Sequence, residues 1–235
     1  MSVHSLKERE LLNAFLFLLK GYITLEDQFH ALFREAVRSI ISALEAKDPY
    51  THGHSLRVSE YALLIGEALK LSKEELLNLE LGALLHDVGK IGTPEHILLK
   101  PGRLTKEEFE IMKKHPVGSA EILSHIELLK DVVPIVKYHQ ERMDGLGYPD
   151  GLKGDQIPLL SRIVYIADAF DAMTSDRPYR KALPVQQAYD ELLRCAGDQF
   201  DPQLAALFMK AHQQKKTLQH ESHIFSRKQK RKAAA

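Results

Sequence analysis

Residues 84–92 read Leu-Leu-His-Asp-Val-Gly-Lys-Ile-Gly and place an adjacent histidine and aspartate at the end of an apolar helical segment. Upstream, Ser72 and Glu75 form a capping-box pattern, and apolar residues then recur at helical spacing to Val88, so we expect this helix to end near Gly89. A charged aspartate on such an apolar stripe would be unfavourable to bury without a partner. A metal ion would supply that partner.

The geometry of a helix leaves two ways for His86 and Asp87 to bind metal. Neighbouring residues point about 100° apart, so the pair could bind one ion from two sides, or the Asp87 oxygens could bridge two ions. An isolated His-Asp pair is weak support, because many buried histidines only hydrogen-bond a carbonyl group. Further ligand-type side chains among glycines and prolines strengthen the prediction; they lie in residues 48–54, 115–116 and 139–149, with Asp168 further along.

The composition excludes several classes of protein. The 235 residues are 44% hydrophobic and 27% charged, which is typical of a globular protein with one sizeable core. Equal numbers of basic and acidic residues, 32 of each, give no general attraction to a nucleic acid polymer or a membrane. Cys195 is the only cysteine, so disulfides within the chain and multi-cysteine zinc sites are excluded and a cytoplasmic location is expected. The apolar run at residues 11–19 is too short to cross a bilayer.

The periodicity of the chain predicts an all-α protein, because apolar residues recur at helical spacing and sustained two-residue alternation is hard to find. Thr105 and Asp201 are expected to begin further helices. We divide the chain into a helical extension at residues 1–44, which could serve in a homodimer, a domain at 45–212, and a basic tail at 213–235. The tail is expected to be mobile and solvated rather than bound to nucleic acid or lipid.

Two motifs, His86-Asp87-Val-Gly-Lys90-Ile-Gly92 and Asp144-Gly-Leu-Gly147-Tyr148-Pro149, closely resemble those of the HD-GYP domain. This domain is a branch of the HD superfamily of metal-dependent phosphohydrolases. The resemblance runs from about Ala43 to Pro202 and includes the stretch that begins at Ile157. It implies a helical bundle that hydrolyses cyclic di-GMP, a bacterial second messenger, at a site with two or three metal ions.

The resemblance also implies a set of metal ligands. One ion would be held by His54, His86, Asp87 and Asp168. Asp87 would bridge to a second ion, which His115 and His139 also hold. Mixed imidazole and carboxylate ligation suits iron or manganese and does not by itself exclude zinc or nickel.

Other residues would bind the substrate or shape its entry. Lys90 is expected to counter the charge of a phosphate oxygen, and Arg177 and Arg180 are the implied nucleotide contacts. The glycines predict a tight loop, which the resemblance places beside the metals, where it could shape substrate entry or contact a diguanylate cyclase. The loop residues are Asp144, Gly145, Gly147, Tyr148 and Pro149.

Two residues depart from the family pattern. Members commonly carry a second histidine where this chain has Gln140, and an amide is a poor substitute for imidazole on a transition metal. Members with a third ion carry a glutamate where this chain has Tyr50. We therefore expect two ions, the second more weakly held. Glu141 and Asp144 could orient ligands or merely be solvated in the loop, and Asp171 is expected to brace the site rather than bind metal.

Three hypotheses for function follow. The first is a cyclic di-GMP phosphodiesterase in which a metal-bridged hydroxide attacks phosphorus to give pGpG, GMP or both. The second, motivated by Gln140, is a catalytically weak domain that acts as a cyclic di-GMP receptor or protein-interaction module. The third is hydrolysis of another phosphate ester.

Overall fold

The structure is a computed structural model that describes residue 28 and residues 31–33, 35–48, 53–176 and 181–233, with the backbone alone from residue 219. The chain divides into two compact units, residues 1–43 and 44–235. Residues 31–33 and 35–47 are helical. All the candidate site residues belong to the second unit.

The second unit is built from helices, which we number from residue 54. Their bounds are α1 (His54–Ala68), α2 (Lys73–Leu85), α3 (Glu95–Leu98), α4 (Lys106–Met112), α5 (His115–Ser124), α6 (Val133–Tyr138), α7 (Leu159–Thr174), α8 (Val185–Arg194) and α9 (Pro202–Ala233). Single 3₁₀ turns lie at Val88–Gly92, Glu127–Leu129 and Gly154–Gln156. The described residues contain no β-strand, and the all-α prediction is confirmed.

Three of these helices begin where the sequence predicts. At α2, the Ser72 hydroxyl accepts the Glu75 backbone N–H while the Glu75 carboxylate accepts the Ser72 N–H, so both donors are satisfied. The same exchange begins α4 at Thr105. Asp201 caps α9 by accepting two backbone N–H groups from its first turn.

Helix α2 ends one turn earlier than predicted. Its last residue is Leu85, and the chain then forms the 3₁₀ turn at Val88–Gly92 rather than continuing to Gly89. The cause is a close crossing with α5. The Gly89 N–H donates to the Ser119 hydroxyl at 2.8 Å, and a Cβ at Gly89 would lie only 2.1 Å from the backbone oxygen of His115. The predicted end near Gly89 is therefore wrong.

The main core of the second unit is formed where α1 packs against α2, α7 and α9. Helix α1 contributes Val58, Ala62 and Ile65, which are fully buried. Around Phe170 of α7 lies a cluster of rings formed by Tyr61, Tyr189, Phe208 and His212.

The backbone of α9 continues as a helix to Ala233, through most of the predicted basic tail. The mobility of that tail stays a prediction. Among the described residues, no helix combines the length and the apolarity that crossing a membrane requires.

Candidate metal centre

Six predicted ligands converge at one place in the second unit, mostly because helix ends meet there. His54 and His115 are the first residues of α1 and α5. His86 directly follows the last residue of α2, and His139 directly follows that of α6. Asp87 is the residue after His86. Asp168 lies inside α7. The four imidazoles and Asp87 are buried, and the Asp168 side chain is 18% exposed. The fold therefore brings together side chains that are up to 114 residues apart in sequence.

Each imidazole is oriented through its Nδ1 atom. The Nδ1–H groups of His86, His115 and His139 donate to backbone oxygens three residues earlier, at 2.7–2.8 Å. A carbonyl oxygen can only accept, so a proton sits on Nδ1, and in the neutral form of each ring the Nε2 atom carries the lone pair that a metal would use. His54 is held differently, because its Nδ1–H donates to the Asp171 carboxylate at 2.7 Å.

Asp87 lies between the imidazoles and presents one carboxylate oxygen to each of two pairs of histidines. Its Oδ2 atom is 3.8 Å from His54 Nε2 and 3.4 Å from His86 Nε2. Its Oδ1 atom is 3.3 Å from His115 Nε2 and 4.0 Å from His139 Nε2. Asp168 adds an oxygen 3.4 Å from His54 Nε2. This is the arrangement in which one carboxylate can bridge two cations.

The donor atoms fit divalent metal ions. The Nε2 atoms of His115 and His139 are 3.3 Å apart although both carry lone pairs, and the buried Nε2 of His86 has no hydrogen-bond partner. Lone pairs that face one another and two carboxylates are mutually repulsive unless a cation lies among them. Three overlapping groups, each with its ligand atoms within 4.8 Å of one another, could hold an ion: His54–His86–Asp87, His86–His139–Asp168 and Asp87–His115–His139.

Metal binding requires neutral imidazoles and ionised carboxylates, and the pKa shifts of His115, His139 and Asp87 suit it. Burial lowers the pKa of His86, but the charge of Asp87 outweighs it and the net shift is upward, so a metal ion would replace a proton there. Burial lowers the pKa of His115 to about 4 and holds the pKa of His139 well below its usual value. Burial alone would raise the pKa of Asp87, but the charges of Lys90 and His86 outweigh it and hold that pKa far below normal. The Lys90 ammonium is 2.5 Å from Asp87 Oδ2. Burial lowers the pKa of Lys90, but Asp87 more than compensates and the net shift is upward.

Asp171 braces the site, as the sequence suggests, and Arg57 is its partner. The Arg57 guanidinium binds both oxygens of Asp171, at 2.6 and 3.0 Å, while the same carboxylate accepts from His54. Burial would raise the pKa of Asp171, but the hydrogen bonds from His54 and Arg57 outweigh it. No role for Arg57 was predicted from the sequence, although its position three residues after His54, on the same face of α1, was an available signal.

The loop at residues 144–149 lies beside the six ligands. The Tyr148 hydroxyl donates to the Gln140 side chain at 3.2 Å, and the Tyr148 ring is 6.4 Å from that of His115. Burial and the charges of Asp168 and Asp87 raise the pKa of Tyr148, so its hydroxyl stays protonated. Gly147 is packed so closely that a Cβ there would lie 2.4 Å from the Arg142 backbone nitrogen.

Glu141 and Asp144 hold this loop rather than the ligands. Asp144 accepts from the Arg142 guanidinium and the Leu146 N–H, and these contacts, led by Arg142, lower its pKa to about 2. Glu141 Oε1 accepts the backbone N–H groups of Asp150 and Gly151. Gly145 has a φ of 81°, which favours glycine. The predicted residues Arg177, Arg180 and Tyr50 lie outside the described residues.

Comparison with known proteins gives matches over most of the chain. Residues 38–204 match the HD domain family. A cyclic di-GMP phosphodiesterase response regulator, RpfG, of Xanthomonas campestris is 42% identical over 183 residues, which are 77% of this chain and 48% of the relative. A cyclic di-GMP phosphodiesterase of Thermotoga maritima is 43% identical over 168 residues, 71% and 46% of the two chains. A 3'3'-cGAMP-specific phosphodiesterase of Vibrio cholerae is 36% identical over 192 residues, which are 82% of this chain and 41% of the relative.

The chain thus spans about half the length, or less, of these curated relatives. Two solved structures share the fold. A cyclic GMP-AMP specific phosphodiesterase of V. cholerae has a TM-score of 0.61 at 22% identity, over 76% of this chain and 48% of that one. An HDG"Y"P protein of Bdellovibrio bacteriovorus has a TM-score of 0.55 at 23% identity, over 74% of this chain and 58% of that one.

Proposed function

Because this chain belongs to the HD domain family, whose members are metal-dependent, we propose that it is a phosphodiesterase that hydrolyses cyclic di-GMP. Two curated relatives named as cyclic di-GMP phosphodiesterases are 42% and 43% identical to it. Hydrolysis gives pGpG, GMP or both.

The observation that carries the proposal is the division of Asp87 between two groups of imidazoles. One oxygen faces His54 and His86, and the other faces His115 and His139. Two divalent ions held in this way would polarise a phosphodiester and supply a nucleophile from water near neutral pH. We propose iron or manganese, since both accept mixed imidazole and carboxylate ligands.

The chain's own side chains would perform the remaining tasks. The Nδ1 contacts fix each imidazole before metal binds, so no reorientation is required. Lys90, whose side chain is 19% exposed, offers a positive charge at the solvent side of Asp87 and would neutralise a phosphate oxygen. Arg177 and Arg180 are proposed to grip the nucleotide phosphates.

A direct experiment compares two aspartate variants on two cyclic dinucleotides. Manganese- or iron-loaded wild-type protein should convert cyclic di-GMP to a linear product, measured by chromatography, and 3'3'-cGAMP is the competing substrate because one relative is named for it. Asp87→Asn should abolish turnover and metal binding. Asp131→Asn, on an exposed aspartate, is the control and should change neither. A loaded protein that leaves cyclic di-GMP intact would overturn the proposal.

The receptor hypothesis rests on Gln140. The arrangement of the candidate ligands favours the phosphodiesterase hypothesis over it. The six candidate ligands, four histidines and two aspartates, already lie close enough together to hold ions. If the receptor reading were right, Gln140→His would still bind cyclic di-GMP without forming product. We expect wild-type protein to turn over instead.

We propose the loop at residues 144–149 as the surface for a diguanylate cyclase-type partner. Leu146 there is 78% exposed, so its side chain is accessible to a partner. Leu146→Glu should weaken such a complex in size-exclusion experiments while metal content stays the same. A homodimer and a cytoplasmic location stay predictions.

A further inference from the structure

Gln140 lies between the loop at residues 144–149 and the metal centre, and it contacts both. Its side-chain nitrogen donates to Asp168 Oδ2 at 3.1 Å, and its side-chain oxygen accepts from the Tyr148 hydroxyl at 3.2 Å. Its backbone oxygen also accepts the Tyr148 N–H at 3.2 Å. A single residue therefore contacts a candidate metal ligand and the loop.

The chemistry of the groups fixes the direction of these hydrogen bonds. An ionised carboxylate can only accept, so the amide NH₂ of Gln140 must face Asp168. A flipped amide would set two oxygens against each other. The amide oxygen then faces Tyr148, whose hydroxyl has to be the donor.

This arrangement turns the side-chain oxygen of Gln140 towards Tyr148 and its NH₂ group, which cannot bind metal, towards Asp168. The amide oxygen, which is the only ligand-type atom of the side chain, already accepts from Tyr148. Asp168 divides its oxygens, because Oδ2 accepts from Gln140 while Oδ1 is the atom 3.4 Å from His54 Nε2. Gln140 therefore holds Asp168 by one oxygen, and the other oxygen faces His54.

We propose that Gln140 is a positioning residue, and not a metal ligand, that holds Asp168 through one oxygen and couples it to Tyr148. The residue that stands where relatives commonly carry a ligand thus has a different task in this chain. The inference rests on the proposed function only for the identity of the metal site. The tests of this inference use no cyclic dinucleotide. The inference can therefore fail while the proposed hydrolysis is confirmed, and the proposed hydrolysis can fail while the inference is confirmed.

The first experiment measures the loop in metal-free protein, where Gln140 cannot act as a ligand. Amide hydrogen exchange of residues 144–151 is followed in Gln140→Met, Tyr148→Phe and the double variant. Each single change removes hydrogen bonds and should speed exchange roughly 2- to 10-fold. The double variant should exchange no faster than the faster single variant, because both changes break the same connection.

Tyr189→Phe is the matched control, since it also removes a tyrosine hydroxyl that hydrogen-bonds a side chain, but that side chain is His212 in the ring cluster around Phe170. It should leave exchange at residues 144–151 unchanged. Single-variant effects that multiply in the double variant would show that Gln140 and Tyr148 act independently, and the proposal would be overturned. Tyr148→Phe keeps the ring and removes one oxygen, so it provides a test even if Gln140→Met folds poorly.

The second experiment titrates Co²⁺ and follows its visible absorption. Gln140→Met should bind the same number of ions as wild type, with affinity lowered about 10-fold because Asp168 has lost a partner. Global stability, measured by urea unfolding of the metal-free protein, serves to separate this effect from loss of folding. If Gln140→Met binds one ion fewer than wild type, Gln140 is a ligand and the inference is wrong.

Discussion

His54 differs from the other three imidazoles in what holds it. His86, His115 and His139 donate to the backbone, whereas His54 donates to Asp171, which Arg57 holds in turn. A backbone acceptor survives side-chain substitution, but a carboxylate can be removed. His54 is therefore the one imidazole of the four whose orientation can be changed without altering a ligand.

Asp171→Asn should weaken metal binding without unfolding the protein. The neutral amide would orient His54 less firmly and lose charge pairing with Arg57, so we expect affinity for Mn²⁺ to fall roughly 10- to 100-fold in calorimetric titration. Asp155→Asn is the matched control, because Asp155 also pairs with an arginine, Arg162, but its side chain is 96% exposed. Equal affinities in the two variants would contradict the bracing role of Asp171.

At the scale of elements, the turn at Val88–Gly92 crosses α5 with almost no space between the backbones. A Cβ at Gly89 would lie 2.1 Å from the His115 backbone oxygen and 2.4 Å from the Ser119 nitrogen. This crossing sets the distance between Asp87 and His115, so both the stability of the fold and the metal site depend on it.

Gly89→Ala should therefore destabilise the metal-free protein by about 3 kcal/mol or more, since backbone atoms must move apart. The measurement is urea unfolding followed by circular dichroism. Gly92→Ala, in the same turn, is the control, because a Cβ there meets nothing within 4 Å. We expect its free energy of unfolding to stay within about 0.5 kcal/mol of wild type; a similar loss in both variants would show that the crossing is not the cause.

The same turn is also held by Lys47. Its ammonium donates to the backbone oxygens of Lys90 and Thr93, at 3.4 and 2.9 Å, and to that of Ile91. These are carbonyl groups near the end of the turn that carries Lys90. One cation thus fixes the segment that positions the candidate substrate-binding lysine.

Lys47→Met should loosen this segment and leave the helices intact. Loss of a charged donor should speed amide exchange of Thr93 about 10-fold or more, measured by NMR or mass spectrometry. Lys106→Met changes an exposed lysine and should have no effect there. An unchanged Thr93 exchange rate in Lys47→Met would rule out this role.

At the scale of the whole molecule, local signals in the sequence were sufficient to predict where these helices begin. They were not sufficient to predict features that depend on contacts between residues far apart in the chain. The capping residues Ser72, Thr105 and Asp201 act within four residues of themselves, and their helices begin as predicted. The early end of α2 is set by α5, which lies 30 residues further on. No local pattern contains that information.

The candidate site divides in the same way. The resemblance supplied six ligands, and the fold brings them together; their roles stay a prediction. The contacts of Gln140 with Tyr148 and Asp168, and of His54 with Asp171 over 117 residues, depend on packing and could not be predicted. Residue type alone suggested that Gln140 was a lost ligand, whereas its contacts indicate a different task.

His212 provides a test of the core that is independent of the metal site. It stacks on Phe208, and its Nδ1 is 2.8 Å from the Tyr189 hydroxyl, which can donate to a neutral imidazole. Burial, with smaller contributions from Lys216 and Lys215, lowers its pKa from 6.5 to about 4. Between these values the unfolded chain binds a proton that the native protein does not.

The contribution of His212 to stability is therefore complete above pH 6.5, falls as the pH drops towards 4, and is constant below it. The loss reaches about 3 kcal/mol for a shift of this size. We expect the stability advantage of wild type over His212→Asn, from urea unfolding at pH 7.5, 5.5 and 4.5, to shrink accordingly, because asparagine does not titrate. The remaining histidines are common to both proteins and cancel in this difference. A constant difference for His212→Asn would mean that the native protein admits a charged His212.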